Sequence, residues 1–187
     1  MNLNQLVVSL PFIAYVAFWT LTGFIQNVDR LKGVGEGFLS SIFNPIFLFI
    51  LFYVSEFSFS NTALIGQSLA SEGAGFVVEL LGLLLLMWAR LVLGKNWTSA
   101  WKSKEAGKLV TGGPYALVRH PIYPGTIVLF AGVFVFFGQV VYLLGVLVIF
   151  LFSLVRSKSE EKELLEHFPK EYSEYRKQVK AFFPLVY

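Results

Sequence analysis

The chain has 187 residues, of which 56% are hydrophobic, 17% aromatic and 14% charged, and its formal net charge is +3. Soluble domains carry about 25% charged residues, so most of this chain has to lie in an apolar environment. The absence of cysteine excludes disulfides, thiolate nucleophiles and thiolate metal ligands. The positive charge is too small and too scattered for a nucleic-acid partner.

Five apolar runs follow one another along the chain, at about 4–26, 38–55, 74–94, 122–137 and 139–155. A membrane-spanning helix needs about 20 apolar residues, and its backbone groups must be paired within the segment. The first run has no basic segment before it and no small-residue cleavage site after it, so we expect a retained helix. Only Gly138 and Gln139 separate the last two runs, which predicts an antiparallel helical hairpin. We therefore predict an all-α integral membrane protein with about five transmembrane helices.

The lysines and arginines predict the orientation of these helices. All fifteen fall in the three segments 27–37, 90–121 and 156–180, and five spans put these segments on one side of the membrane. Since basic residues are enriched in cytoplasmic loops, we expect this side to be cytoplasmic and the N-terminus to lie outside. Glu79 lies near the outer end of the third run, and we expect it to snorkel to the far surface rather than join a site.

The charged tail, from about 158 to 178, is typical of a water-facing helix. Ser157 or Ser159, followed by glutamates, resembles a helix start, and Pro169 is expected to divide the tail into two pieces. Arg156 and Glu160 are four residues apart, so they share a helix face if the fifth span continues into the tail.

The loop before the fourth span is the other polar segment. Gly112, Gly113 and Pro114 predict a turn, and Pro121 suits the start of the following helix. The topology is expected to bring two polar clusters together: Tyr115, Arg119, His120 and Tyr123 from the loop, and Arg156, Glu160 and Glu161 from the tail. We predict no metal site, because His167 is the only other histidine and no carboxylate stands at a ligand spacing from His120.

Taken together, the polar segments resemble the isoprenylcysteine carboxyl methyltransferase family. LVTGGPYALVRHPIYPG at 109–125 is followed by a hydrophobic hairpin and then by RSKSEEKELLEHFPKEYSEYRKQVKAFFP at 156–184. The resemblance covers roughly 90–184, and the first two spans match only as hydrophobic helices. The sequence departs from the eukaryotic enzymes at Ala100 and Gly107, where they carry glutamine and histidine, and this concerns the acceptor more than the cofactor.

The resemblance implies a single membrane methyltransferase domain, with 1–89 mostly a spanning scaffold and 90–187 the catalytic part. It implies S-adenosylmethionine as cofactor, on the cytoplasmic side, and a lipophilic or prenylated acceptor that enters from the bilayer lipid. Catalytic roles would fall to Arg156, as the anchor of the acceptor, and to Glu161. The cofactor-binding residues would be Lys108, Leu109, Val110, Tyr115, His120, Pro121, Ile122, Tyr123 and Glu160.

The chemistry of methyl transfer fits these residue types. Glu160 suits the ammonium group of the cofactor, and Arg156 can hold an anionic acceptor through two hydrogen bonds. A carboxylate acceptor is already ionised, so it needs no base, whereas an amine or thiol would need His120 or Glu161 to remove a proton. The alternatives are a phospholipid amine or small-thiol methyltransferase, and a non-catalytic scaffold or transporter. Transport would require polar residues at mid-membrane, and the spans carry almost none.

Overall fold

The computed structural model describes residues 3–27, 63–94 and 108–183. Within them the chain forms five α-helices and no strand longer than an isolated bridge, so the all-α prediction is confirmed. The helices are α1 (Leu3–Asn27), α2 (Leu69–Leu93), α3 (Ile122–Phe137), α4 (Val140–His167) and α5 (Pro169–Gln178). The predicted span at 38–55 and the positions Ala100 and Gly107 lie outside the described residues.

Two of these helices, α2 and α4, are long and apolar enough to cross a membrane. Helix α3 has 16 residues, which makes it about 24 Å long, and α1 contains the shorter apolar stretch Leu10–Thr22. Gly138 adopts a left-handed conformation with φ 68° and ends α3, so that α4 begins after Gln139 as the second arm of a hairpin. The predicted hairpin is therefore present.

Helices α2 and α3 pack against each other through glycines seven residues apart on each helix. A Cβ atom on Gly75 would lie 2.5 Å from the backbone nitrogen of Phe136 and 2.8 Å from the carbonyl oxygen of Gly132. A Cβ atom on Gly82 would lie 2.8 Å from the carbonyl oxygen of Gly125. Small residues let helix backbones approach closely in a membrane, where van der Waals packing drives association. These glycines therefore set the distance between α2 and α3.

Large aromatic side chains connect α1 to this helix pair. The rings of Phe12 and Phe130 meet edge to face with centroids 5.1 Å apart, and the guanidinium carbon of Arg90 lies 5.3 Å from the ring centroid of Trp19. Arg90 is fully buried in the last turn of α2. The ring face of a tryptophan attracts a cation, so this contact ties the end of α2 to α1.

The structure corrects the expectation for Glu79. Its side chain is fully buried, so the prediction that it snorkels to the far surface is wrong. The physical reason is the close approach of the helices: a Cβ atom on Gly132 would lie 2.7 Å from the Cα atom of Glu79. Glu79 therefore lies in the interface between α2 and α3.

Helix α4 corrects the predicted start of the tail helix. It runs without interruption from Val140 to His167, and the Ser157 hydroxyl donates a hydrogen bond to the carbonyl oxygen of Leu154 within the helix. No proline interrupts 140–167, so the apolar span continues directly into the polar segment. Residues 140–155 form the apolar part, and the helix is polar from Arg156 onward. Pro169 begins α5, as predicted.

Candidate active site

The loop before α3 is held in place by a tight turn. Gly113 has a φ of 60°, which favours glycine, and Gly113–Ala116 form one turn of 3-10 helix. The turn buries Tyr115, and the chain then passes His120 to reach Pro121 at the N-cap of α3. His120 is consequently fixed directly before the N-terminus of α3 and is only 6% exposed.

The C-terminal segment 179–182 lies alongside this loop. The backbone nitrogen of Arg119 donates to the carbonyl oxygen of Lys180 at 2.7 Å, and that of His120 donates to Ala181 at 3.0 Å. Phe182 places its ring beside the rings of His120 and Tyr123, with centroids 6.0 Å and 5.8 Å away. Residues 179–182 thus form one wall of the site.

His120 stands between two carboxylates of α4. Its Nδ1 atom lies 3.4 Å from Oε2 of Glu160, and its Nε2 atom lies 3.4 Å from Oε1 of Glu161. Within the described residues Nε2 has no partner of hydrogen-bonding geometry, so the second contact is an electrostatic one. The predicted meeting of the loop cluster and the tail cluster is therefore found in the structure.

Glu160 is the more open of the two glutamates. Its Oε1 atom accepts hydrogen bonds from the Tyr123 hydroxyl at 2.7 Å and from Nε of Arg156 at 3.3 Å. About a third of its side chain is exposed, and Arg156 is similarly placed with 27% of its side chain exposed. This corner of the cluster is accessible to a ligand.

Glu161 is held by a different arginine. Oε1 of Glu161 accepts a hydrogen bond from Nε of Arg119 at 3.0 Å and another from Nη2 of the same guanidinium. Nη1 of Arg119 donates to the carbonyl oxygen of Val179. Arg119 therefore joins the loop, α4 and the C-terminal segment, and its side chain is only 9% exposed.

These contacts determine the charges of the cluster. Burial lowers the pKa of His120, but the neighbouring Glu160 and Glu161 outweigh it and raise the pKa above the ordinary value of 6.5. Burial raises the pKa of Glu161, yet His120 and Arg119 bring it down to about 2. Burial likewise opposes the ionised form of Glu160, and His120, Tyr123 and Arg156 leave its pKa lowered. The cluster thus favours a protonated imidazole between two ionised carboxylates.

A buried group of tyrosines lies behind this cluster. The Tyr175 hydroxyl donates to the carbonyl oxygen of Tyr115, and the rings of Tyr172 and Tyr175 meet edge to face with centroids 6.0 Å apart. The Tyr115 hydroxyl is itself buried and has no hydrogen-bond partner in the described part of the chain. Burial, followed by the charge of Glu160, raises the pKa of Tyr115, so its hydroxyl stays protonated and available as a donor.

The structure brings some of the predicted site residues together and leaves others apart. It joins His120, Tyr123, Arg156, Glu160 and Glu161 in one cluster. Pro121 is fully buried and Ile122 half-buried at the start of α3. Lys108 is exposed and Leu109 and Val110 are half-buried, and no hydrogen bond or ion pair among the described residues joins these three to the cluster.

The sequence placed Arg119 in the loop cluster, but it predicted neither the pairing of Arg119 with Glu161 nor the contact of the backbone of 179–182 with the loop. Arg119 stands directly before His120, and the aromatic residues Phe182 and Phe183 follow Lys180 and Ala181; these are weak local signals of the contact. Any residue type can supply a backbone carbonyl acceptor, so the sequence does not predict the pairing of 179–182 with the loop. The structure shows this pairing.

Comparison with known proteins identifies the family of this chain. The family model described as phospholipid methyltransferase matches residues 71–171, more than half of the chain. The chain belongs to this family. The matched region begins in α2 and ends in α5, and the C-terminal segment 179–182 follows it. It therefore contains all residues of the ion-pair cluster, by which we mean Arg119, His120, Tyr123, Arg156, Glu160 and Glu161.

Two curated relatives of this chain are named as members of the family that the sequence resembles. The protein-S-isoprenylcysteine O-methyltransferase of Schizosaccharomyces pombe is 39% identical over 88 residues, which are 46% of this chain and 37% of the relative. The protein-S-isoprenylcysteine O-methyltransferase B of Arabidopsis thaliana is 30% identical over 115 residues, 60% of this chain and 58% of the relative. The resemblance predicted from the sequence is thereby confirmed.

A solved structure shares the fold. It is described as the eukaryotic intramembrane Ras methyltransferase, isoprenylcysteine carboxyl methyltransferase, without a monobody; its TM-score is 0.64 and its sequence identity 22%. The match covers 94% of this chain and 65% of that protein. Both this structure and the two curated relatives are matched over less than two thirds of their own length. The fold is that of an integral membrane protein.

Proposed function

We propose that this protein is an S-adenosylmethionine-dependent methyltransferase of the membrane that O-methylates the α-carboxylate of an isoprenylcysteine or a related lipophilic acceptor. The observation that carries the proposal is the ion-pair cluster, in which an accessible glutamate and an accessible arginine stand side by side at the end of a spanning helix. The names of the two curated relatives support the choice of acceptor.

The residues present fit the cofactor. When bound, S-adenosylmethionine supplies an electrophilic methyl group on a sulfonium centre. Glu160 would bind its ammonium group through the exposed part of the carboxylate, and the unpartnered Tyr115 hydroxyl offers a donor nearby. The half-buried Leu109 and Val110 would provide apolar walls, as the resemblance implies.

Arg156 is placed to receive an amphiphile. It directly follows the apolar residues 140–155 of α4, so its guanidinium stands where a lipid tail would end and a carboxylate would begin. A guanidinium binds a carboxylate through two parallel hydrogen bonds, which orients one carboxylate oxygen. Arg156 would therefore bind the acceptor and hold it next to Glu160 and the cofactor.

The charges of the cluster favour a reaction without a general base. A carboxylate acceptor is ionised at neutral pH, and the two glutamates beside His120 raise the pKa of its imidazole and favour the protonated form. Glu161, with a pKa of about 2, is a weak base as well. We therefore assign Glu161 to holding Arg119 and His120 in place.

A phospholipid amine is the second candidate acceptor, because the matching family model is described as phospholipid methyltransferase. An amine has to lose a proton during methylation, so this reaction would need His120 or Glu161 as a base. Its rate should then rise with pH, whereas methylation of a carboxylate should be nearly flat from about pH 6 to 8.

A crossed experiment with two variants tests the proposal. Glu160→Gln removes a charge-assisted bond and should weaken S-adenosylmethionine binding roughly 10- to 150-fold in calorimetric titration. Arg156→Lys and Arg156→Ala should leave that affinity within a few-fold, while radiolabelled methyl transfer to a farnesyl-cysteine analogue falls in the order arginine, lysine, alanine. Glu166→Gln, an exposed glutamate on the same helix, is the matched control.

The outcomes separate the candidates. Base-labile product from the farnesyl-cysteine analogue supports the carboxylate acceptor, because methyl esters release methanol in alkali. Base-stable product from phosphatidylethanolamine supports the amine, and base-stable product from a small thiol supports the thiol. Failure of the folded protein to bind the cofactor at all would leave the non-catalytic scaffold.

We also propose a single domain, with 1–89 as scaffold and 90–187 as catalytic part, whose active site faces the cytoplasm. The three basic segments support this orientation. Because the chain has no cysteine, single cysteines at the exposed positions Gln67 and Lys170 can report it. An impermeant thiol reagent should label Gln67→Cys from outside and Lys170→Cys only from inside. Labelling of both from one side would refute the topology.

A further inference from the structure

A polar cavity of about 240 Å³ lies between the polar part of α4, helix α5 and the C-terminal segment. Four of its lining residues are cations and one is a carboxylate, so the cavity is strongly positive. The lining residues are Arg119, Ser157, Lys158, Glu161, Arg176, Lys180 and Ala181. This cavity is separate from the corner formed by Glu160 and Arg156, because neither of those residues lines it.

The positive charge of the cavity is only partly compensated. Glu161 is its only lining carboxylate, and its Oε1 atom is already engaged by Arg119. The nearest approach of Arg176 to it is 3.9 Å, from Nε to Oε2, and half of the Arg176 side chain is exposed. Lys158 and Lys180 are exposed, and neither forms an ion pair with another described residue. The cavity therefore has three cations to offer an anion.

The position of the cavity along α4 indicates which anion can reach it. Ser157 and Lys158 directly follow Arg156, at the level where the apolar part of α4 (140–155) ends and its polar part begins. Lysine side chains at this level extend to the phosphates of the membrane surface, and basic clusters next to a spanning helix attract anionic lipids. A phosphate group with two or three charged oxygens matches the cations better than a lone carboxylate does.

We propose that this cavity is a binding site for a phosphate group carried by an anionic membrane lipid. Lys158, Arg176 and Lys180 bind its oxygens, and the lipid tails extend along the apolar part of α4. The site does not depend on methyl transfer. It shares Glu161 and Arg119 with the ion-pair cluster, so an anion bound here competes with Glu161 for Arg176.

The test compares two triple variants with the same loss of charge. Lys158→Gln, Arg176→Gln and Lys180→Gln together neutralise the cavity, whereas Lys162→Gln, Lys170→Gln and Lys177→Gln remove three exposed cations that do not line it. The probes are short-chain phosphatidic acid, short-chain phosphatidylcholine and inorganic phosphate, titrated onto detergent-purified protein. The measurement is the concentration of each probe that half-saturates the rise in thermal stability.

Phosphatidic acid should stabilise the unmodified protein and the control triple variant at the same concentration. Phosphatidylcholine should have no effect, because the lysines repel the positive charge of its choline group. Each surface cation raises the affinity for an anionic lipid about fivefold. The triple variant of the cavity should therefore need about 100-fold more phosphatidic acid for half-saturation. Inorganic phosphate as effective as phosphatidic acid would support the phosphate site with a free anion as its source.

Three results would overturn the proposal. One is equal phosphatidic acid binding by both triple variants, another is equal stabilisation by phosphatidylcholine, and the third is no stabilisation by any probe. If the cavity triple does not fold, the single variant Lys180→Gln replaces it, with Lys177→Gln as its control and an expected loss of about fivefold. None of these measurements uses methylation, so they are independent of the proposed reaction.

Discussion

Two regions of the molecule are stabilised by different interactions. One is the contact between α2 and α3, and the other is the ion-pair cluster in the polar part of α4. The first consists of glycine backbones packed so closely that a single methyl group would overlap the facing helix. The second consists of charged side chains of the loop and of α4, which meet around His120 and Arg119, and Arg119 also donates a hydrogen bond to the backbone carbonyl of Val179. Van der Waals packing is insensitive to pH and salt, whereas a charge cluster responds to both.

This difference indicates how each region can contribute to function. A contact between backbones has one geometry and suits a rigid scaffold. A cluster in which an open glutamate, Glu160, adjoins a closed one, Glu161, combines an accessible ligand group with a fixed support. The following predictions test whether the two regions differ in this way.

Of the substitutions considered, Arg119→Ala is expected to cause the largest loss of unfolding free energy. Arg119→Ala leaves the carboxylate of Glu161 and the carbonyl of Val179 without their buried donor. Breaking a buried ion pair on one side costs about 3–5 kcal/mol of unfolding free energy. The measurement is equilibrium unfolding by sodium dodecyl sulfate in mixed micelles.

The control for this prediction is Lys177→Ala. Lys177 pairs with Glu174 at 2.7 Å, but both side chains are about two thirds exposed, so the loss should stay below about 1 kcal/mol. Equal losses in the two variants would show that Arg119 does not hold the three segments together.

A somewhat smaller effect is expected in the glycine contact. Gly132→Ala places a methyl group against the backbone of Glu79, and overpacking of this kind costs about 1–3 kcal/mol. Gly73→Ala in α2 meets no atom within 4 Å and should be neutral or stabilising by up to about 1 kcal/mol. If both variants unfold alike, the close approach of α2 and α3 is not needed for stability.

Much of this fold could be predicted because the relevant signals are local. The apolar runs, Gly138 at the hairpin and Pro169 at the break between α4 and α5 each act on neighbouring residues. The meeting of His120 with Glu160 and Glu161 could also be predicted, since an antiparallel hairpin returns the chain to the surface from which it started.

The remaining features depend on packing that the sequence does not record. Glu79 is buried because Gly132 of another helix faces it, and a glutamate near the end of an apolar run gives no sign of that neighbour. Helix α4 continues past Arg156 because no helix-breaking proline interrupts it. The serine and glutamates after Arg156 resemble a helix start, and this pattern predicted a break that the structure does not have. The role of Arg119 depends on backbone acceptors in 179–180, which any residue type can supply.

The smallest effect concerns pH, and it distinguishes the two regions most directly. The pKa of His120 is higher in the folded protein than its ordinary value of 6.5, so protonated His120 stabilises the fold. This contribution is complete below about pH 6.5 and is lost as the pH rises through the raised pKa. Unfolding free energy in mixed micelles should therefore fall as the pH rises above 6.5, both in the unmodified protein and in Gly132→Ala. In His120→Gln, which has no titrating imidazole between Glu160 and Glu161, the decline should be absent. A decline of the same size in His120→Gln would show that the histidine is not the charge that joins α4 to the loop.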